Sequence, residues 1–125
     1  MDLYREQILD HYKHPRNFGH IEGADVSSEE INMSCGDRIT IDIRFGSKDN
    51  ERIVEEVKFS GEGCAIDQAS ASMLTEKITG MKTTEVMNLG LPDIEAMLGT
   101  TLTPSRVKCA VLPLEAIQKA IKSVR

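Results

Sequence analysis

Three cysteines and one aspartate are the residues of this chain best suited to hold a metal. Cys35, Cys64 and Cys109 lie far apart in the sequence, and Asp37 follows the first of them by two residues. A glycine or a lysine stands beside each cysteine, so small or charged neighbours keep the sulfur atoms accessible. Three thiolates and one carboxylate complete a four-coordinate site for zinc or for an iron–sulfur cluster. We therefore take these four residues as candidate ligands.

The surroundings of Cys64 and Cys109 favour reactive thiolates. Cys64 follows Gly61-Glu62-Gly63, between a predicted strand and a predicted helix. A thiolate there faces the positive end of the helix dipole and unpaired backbone N–H groups. Lys108 places a cation beside Cys109. Both settings make a cysteine a better nucleophile and a better ligand. We expect all three cysteines to lie at the boundaries of helices and strands.

Asp37 differs from the other candidate ligands in the hardness of its donor atom. In an extended segment its side chain points the same way as that of Cys35, two residues earlier. Oxygen suits the soft iron of a cluster less well than thiolate does, whereas zinc accepts both donors. A site with three thiolates and one carboxylate should therefore hold a cluster loosely enough to give it away.

Two other interpretations of the cysteines remain open. An unliganded cysteine commonly packs as a small buried hydrophobe, and the chain has no Cys-x-x-Cys pair to indicate a metal site unaided. A Cys–His hydrolase would need a histidine held beside a cysteine by a third group. His11, His14 and His20 all lie near the N-terminus, where we expect them to cap or to lie on the surface.

Composition limits the classes of function to be considered. The 125 residues predict a single domain, residues 1–125, with a formal net charge of −5. Acidic and basic residues are interspersed, without the basic stripe of a nucleic-acid-binding protein. No segment approaches the ~18 apolar residues of a membrane span, and the N-terminus does not read as a secretory signal. Since an odd cysteine count also argues against a disulfide framework, we expect a cytoplasmic protein.

Hydrophobic periodicity predicts an α+β fold, because a run of strands is followed by a run of helices. The strands should form an antiparallel meander with a hairpin loop at Gly46–Asn50. They lie near residues 30–33, 39–45 and 53–59, and Glu55 breaks the alternation of the third. The predicted helices are 3–13, 65–79, 83–89, 93–98 and 114–124. Thr83 and Asp93 are the expected start signals of the short helices, while Pro104 and Pro113 should interrupt the chain before the last one.

The candidate ligands lie within longer motifs. These are Ile8-Leu9-Asp10-His11-Tyr12 with Pro15-Arg16-Asn17, Asn32-Met33-Ser34-Cys35-Gly36-Asp37, Gly61-Glu62-Gly63-Cys64-Ala65-Ile66 with Ala69-Ser70-Ala71-Ser72, and Arg106-Val107-Lys108-Cys109-Ala110. Together and in this order they resemble the U-type iron–sulfur cluster scaffold proteins, the family of IscU, SufU and the N-terminal domain of NifU. The resemblance covers nearly the whole chain.

The resemblance implies a three-stranded antiparallel sheet with helices packed against it and ligand loops at one end. It implies that Cys35, Asp37, Cys64 and Cys109 bind a [2Fe–2S] cluster or a zinc ion. The implied partners are a cysteine desulfurase as sulfur donor, an iron donor and apo-proteins that accept the cluster. The last cysteine, Cys109, is the implied persulfide acceptor, so Cys109 and its neighbour Lys108 are the candidate catalytic residues.

The chain falls between two subtypes of this family. IscU-type members carry histidine before the third cysteine, where this chain has Lys108, as SufU-like members do. Pro104-Ser105-Arg106-Val107-Lys108 replaces the IscU-type Leu-Pro-Pro-Val-Lys motif, which argues against recognition by a dedicated Hsp70-type chaperone. SufU-like members carry an insertion between the second and third cysteines, for which this chain is too short.

Two functional hypotheses follow. The first is a scaffold, not an enzyme, that assembles a [2Fe–2S] cluster and passes it to apo-proteins. The second is a zinc-bound sulfur-transfer partner of the desulfurase. The sequence leaves open whether one subunit holds the cluster or a homodimer or higher oligomer shares it.

Overall fold

The structure, a computed structural model, describes residues 3–33 and 36–124. The described chain forms five helices and a three-stranded antiparallel sheet, which confirms the predicted α+β fold. None of the described helices combines the length and the apolar character that a membrane span requires. The elements are α1 (Leu3–Lys13), β1 (Val26–Asn32), β2 (Asp37–Lys48), β3 (Glu51–Glu62), α2 (Ala65–Ile78), α3 (Thr83–Met87), α4 (Leu91–Leu98) and α5 (Pro104–Ser123).

The sheet is a meander in which β2 lies between β1 and β3. The predicted alternation along β2 is confirmed, because Ile39, Ile41 and Ile43 are all fully buried on one face. Helices α2 and α5 pack against the sheet and against each other, and α1 packs on α2. Aliphatic side chains therefore supply most of the core, with Phe59 as a fully buried aromatic.

The turn between β2 and β3 is shorter than the predicted loop over residues 46–50. Both strands continue through that region and leave only Asp49 and Asn50 between them. These two residues have positive φ values of 54° and 63°. Positive φ at both central positions is the geometry of a type I′ turn, whose twist matches that of the flanking strands.

Glu55, which breaks the alternation predicted for the third strand, lies at a β-bulge. Phe45 pairs with Val54, whereas the residue before Phe45 pairs with Glu56, so Glu55 is the extra residue. The bulge shifts the inward-facing positions by one, and Val54 is fully buried in place of Ile53. Val54, Val57 and Phe59 therefore form the buried face of this strand, and Ile53 is only half-buried.

Strand β1 begins earlier than predicted, at Val26 instead of near residue 30. Its side chains alternate between half-buried and exposed, but Ser28 and Glu30 occupy half-buried positions while Ile31 is exposed. The hydrophobic alternation that identified β2 is therefore missing here. This is why the sequence did not indicate a strand over residues 26–29.

The last helix differs most from the prediction, since α5 begins at Pro104 and not at residue 114. Pro104 lies in the first turn, where proline is well tolerated. Pro113 lies inside the helix and has no N–H to bond the carbonyl of Cys109, four residues earlier. Leu112, Pro113 and Leu114 are all buried, so core packing holds the helix together through this position. Cys109 therefore lies within a helix, and the expectation of a boundary position was wrong for it.

Neither short helix is capped by the residue expected to signal its start, although α3 begins at Thr83 as predicted. The backbone N–H of Lys82 donates to Glu85 Oε1 at 3.0 Å, and Thr83 is the first residue of α3 and not its cap. The backbone N–H of Gly90 donates to Asp93 Oδ2 at 2.8 Å in the same way. In both helices a carboxylate in the first turn accepts the backbone N–H of the N-cap residue, which is one of the two hydrogen bonds of a capping box.

His11 is buried, contrary to the surface position expected for the three histidines. Its Nδ1 lies 2.7 Å from the Ser72 hydroxyl, which also accepts the backbone N–H of Arg16 at 2.8 Å. Burial, and to a smaller extent the charge of Arg16, lowers the pKa of His11. The contact ties α1 to α2, the helix that begins next to Cys64.

Candidate metal centre

Cys64 lies where the sequence placed it, between the end of β3 and the start of α2. It is the N-cap residue of α2, with an extended backbone (φ −69°, ψ 169°), and its side chain is exposed. Gly61 sets the approach to this position, because it has φ 131° and a Cβ there would collide with the carbonyl oxygen of Arg38. Only glycine allows β3 to end so close to β2 and to deliver Cys64 to the helix terminus.

Asp37 is the first residue of β2, and it pairs with Asn32 at the end of β1. Its side chain is buried. The backbone N–H of Cys64 lies 3.4 Å from Asp37 Oδ2 in a long hydrogen bond. The start of β2 and the start of α2 are thus held side by side.

Cys109 lies on a third element, α5, and is half-buried. The next residue, Ala110, is fully buried, and its carbonyl accepts a hydrogen bond from the Ser70 hydroxyl at 2.6 Å. Ser70 belongs to α2, so this bond fixes α5 on α2 at the level of Cys109. The thiol is thereby directed toward the end of α2 that carries Cys64.

These three segments bring ligand atoms of Asp37, Cys64 and Cys109 within 4.8 Å of one another. One carboxylate oxygen and two sulfurs this close can bind a single ion, and zinc accepts this donor combination. Cys35, the fourth candidate ligand, lies outside the described residues. The residues that the structure describes therefore supply three of the four donors expected for a metal or cluster.

Comparison with known proteins identifies the family. The NifU-like N-terminal domain family matches residues 3–125. This chain belongs to that family. The match spans the sheet, all five described helices and every candidate ligand.

Two relatives represent the two subtypes of this NifU-like domain. The chain is 38% identical to the zinc-dependent sulfurtransferase SufU of Bacillus subtilis, over 95% of this chain and 89% of the relative. It is 32% identical to the iron–sulfur cluster assembly scaffold protein IscU of Thermotoga maritima, over 98% and 94%. The solved structure of FiSufU from Fervidobacterium islandicum AW-1 matches with a TM-score of 0.72 and 32% identity, over 93% of this chain and 94% of that one. The predicted membership of the U-type scaffold family, between IscU and SufU, is confirmed.

Lys108, the other candidate catalytic residue, is exposed on α5 of the NifU-like domain. It lines a small surface pocket together with Met33 from the end of β1 and Glu115 from the next turns of α5. The segment from Pro104 to Lys108, which replaces the IscU-type proline motif, forms the beginning of the same helix.

Asp67 is a further acidic residue beside the centre, and it is not among the candidate ligands identified from the sequence. It lies three residues after Cys64 in the first turn of α2 and is fully buried. Neither carboxylate oxygen has a hydrogen-bond partner among the described residues. Burial, and secondarily the nearby Asp37 carboxylate, raises the pKa of Asp67 from 3.8 to about 7.

A spacing rule offered the one available signal for Asp67. Residues three apart on a helix share a face, so a side chain at position 67 lies on the same face of α2 as the cysteine at position 64. An acidic residue in the first turn of a helix is also an ordinary way to complement the helix dipole. The sequence alone does not separate that role from a position inside a metal centre.

The raised pKa of Asp67 predicts how the stability of the metal-free domain depends on pH. The folded chain binds the Asp67 proton more tightly than the unfolded chain does, so this group makes the free energy of unfolding fall as pH rises from about 4 to about 7. Below that window both states are protonated, and above it the folded state carries the full cost of a buried carboxylate. Asp67→Ala should therefore be more stable than wild type at pH 8, by an amount on the order of a few kcal/mol, and should differ little from it near pH 4.

Urea unfolding of the metal-free proteins at pH 4.5 and pH 8, with a chelator present, measures this difference. If wild type and Asp67→Ala respond identically to pH, the carboxylate is not the buried, proton-binding group described above.

Proposed function

We propose that this domain is a scaffold that assembles a [2Fe–2S] cluster from iron and desulfurase-derived sulfur and transfers it to apo-proteins. The observation that carries the proposal is the convergence of Asp37, Cys64 and Cys109 within 4.8 Å. Relatives named as IscU scaffold proteins support it. A scaffold of this kind binds and carries its cargo and has no turnover of its own.

Each ligand has its own part in the proposal. The thiolates of Cys35, Cys64 and Cys109 bind iron tightly, because sulfur is the donor that cluster iron prefers. Asp37 supplies the harder oxygen donor, whose weaker bond to iron gives the centre a point at which the cluster can be released. Because the Asp37 side chain is buried, water cannot easily compete with its carboxylate for iron while the cluster is bound.

Sulfur enters as a persulfide on Cys109 in this proposal. The Cys109 thiolate attacks the terminal sulfur of a persulfide on the desulfurase. The new S–S bond forms as the old one breaks, and the desulfurase cysteine leaves as a thiolate. Lys108 supplies positive charge on the exposed side of the helix, next to the attacking residue.

A surface groove next to the centre supports the approach of such a partner. It has a volume of about 550 Å³ and reaches Ala65, the residue after Cys64. Leucine and isoleucine side chains from α1 and α2 form much of its wall, and Arg5 and Arg106 add positive charge. A partner segment that carries apolar and acidic side chains would fit this groove within reach of the thiols.

A zinc-bound sulfur-transfer partner of a cysteine desulfurase is the second candidate. The relative named as a zinc-dependent sulfurtransferase, at 38% identity, favours it. Lys108 also favours it, since SufU-like members have lysine at this position. The donor set suits zinc as well as iron, so Asp37, Cys64, Cys109 and Cys35 would hold the zinc ion in this case. Both candidates place the domain in the cytoplasm with a desulfurase as its partner.

Anaerobic reconstitution distinguishes the two functions. Metal-free protein is incubated with Fe²⁺, sulfide and a thiol, then desalted and analysed for iron, sulfide and zinc. Visible charge-transfer bands with about two irons per cluster support the scaffold. A colourless protein that retains zinc and takes up no iron supports the sulfur-transfer role. Protein that binds neither would overturn both proposals.

Cys109→Ser should abolish acceptance of sulfur from the desulfurase. Persulfides formed with a desulfurase and cysteine are alkylated and located by mass spectrometry. Cys64→Ser is the matched comparison, because Cys64 is the more exposed of the two described thiols and belongs to the same centre. We expect labelling to survive in Cys64→Ser and to disappear in Cys109→Ser; the reverse pattern moves the acceptor role to Cys64.

Asp37→Ala should lengthen the lifetime of a reconstituted cluster several-fold, because the weakest ligand to iron is removed. The decay of the visible absorbance in the presence of a chelator measures this lifetime. Glu62→Gln is a suitable control, since it removes an exposed negative charge near the centre without touching a ligand. Faster decay in Asp37→Ala than in Glu62→Gln means that Asp37 retains the cluster instead of releasing it.

A further inference from the structure

The buried carboxylate of Asp67 has no function in the centre as described so far. The residue is fully buried, and both of its oxygens lack a hydrogen-bond partner among the described residues. A buried polar group without a partner costs about 1–3 kcal/mol, and more when it is charged. Such a group in a folded protein calls for an explanation, such as an ion, a water molecule or a functional role.

The carboxylate lies against Gly63, on the side of the loop that faces Asp37. A Cβ atom on Gly63 would overlap Asp67 Oδ2 and would lie 3.1 Å from Asp37 Cγ. The space that a side chain at position 63 would occupy is therefore taken up by two carboxylates. One of them, Asp37, already belongs to the group of ligand atoms that converge at the centre.

Two structural explanations account poorly for this arrangement. A carboxylate in the first turn of a helix stabilises it by about 0.3–1 kcal/mol at an exposed site, but that benefit does not require the group to be buried beside a second carboxylate. Packing does not explain it either, because a small apolar or hydroxyl side chain would fill the position without an unsatisfied charge. A cation between the two carboxylates removes both difficulties, since it gives the Asp67 carboxylate a partner and both carboxylates a counter-charge.

We propose that Asp67 is a second carboxylate ligand of the metal centre, which binds a divalent cation such as Zn²⁺ or Fe²⁺ together with Asp37. The inference rests on the proposed metal-binding function of the site and extends it. The ligand atoms of Asp37, Cys64 and Cys109 lie within 4.8 Å of one another, and the Asp67 carboxylate lies outside that group, on the side of Asp37. If a thiolate left the metal to accept sulfur, Asp67 would be the donor available to replace it.

Zinc affinity of the metal-free full chain tests the assignment. Affinity is measured at pH 8 by competition with a chromophoric chelator, and Co²⁺ absorption reports the ligand set. Asp67→Asn keeps the shape of the side chain and removes its charge, and Asp67→Ser is the second variant should the first fail to fold. Glu62→Gln is the matched control, because it removes one carboxylate from an exposed position two residues before Cys64.

We expect Asp67→Asn and Asp67→Ser to weaken zinc binding at least tenfold and to change the Co²⁺ spectrum, while Glu62→Gln changes the affinity less than about twofold. The loss of zinc affinity caused by an Asp67 substitution should be larger in a Cys109→Ser background, because the metal then has one thiolate fewer and depends more on the Asp67 carboxylate. Unchanged affinity in a folded Asp67 variant overturns this inference and leaves the proposed function intact. If wild type itself binds neither Zn²⁺ nor Co²⁺, the proposed function fails, and this inference fails with it.

Discussion

The packing of α5 against α2 determines whether a metal centre exists at all, because these two helices position both described thiols. The Ser70 hydroxyl and the Ala110 carbonyl form a buried hydrogen bond of 2.6 Å between them. Ala110 follows Cys109 directly, so the bond sets the rotation of α5 as well as its distance from α2. A shift of one residue along α5 would turn Cys109 by about 100° and carry its sulfur away from the other ligands.

The sheet contributes a ligand of a different chemical kind. Asp37 begins β2, and the strand order places that end of the sheet beside the start of α2. Both carboxylates of this region, Asp37 and Asp67, are buried, so the metal-free state concentrates negative charge where water is scarce. A cation bound there, as proposed, would relieve that charge, and part of its binding free energy would then be stability that the metal-free fold lacks.

The sequence predicted those elements whose residues alternate or recur with a clear period. Strand β2 was predicted well because its isoleucines mark one face, whereas β1 was mispredicted because serine and glutamate take the inward positions. The start of α5 was predicted too late because Pro104 and Pro113 were taken as interruptions of the helix. Burial of Pro113 and its neighbours outweighs the hydrogen bond that proline cannot make, and rules based on local sequence do not include such packing. Asp67 escaped notice for a related reason. Its surroundings include Asp37, which lies on a distant strand, and no pattern in the sequence around Asp67 shows that the two carboxylates are close.

Scaffolding and zinc-dependent sulfur transfer make the same demand on the protein, namely that a ligand leaves the metal while the fold persists. A zinc finger cannot meet this demand, because its metal supplies most of its stability. In this domain the large apolar core is built by β2, β3 and the four helices α2 to α5, and it contains none of Asp37, Cys64 and Cys109. The loss of a thiolate from the metal therefore costs the centre a bond but leaves the helices that carry Cys64 and Cys109 in place. This separation of core from centre would allow a domain of 125 residues to bind a metal or cluster tightly and still release it, as the proposed function requires.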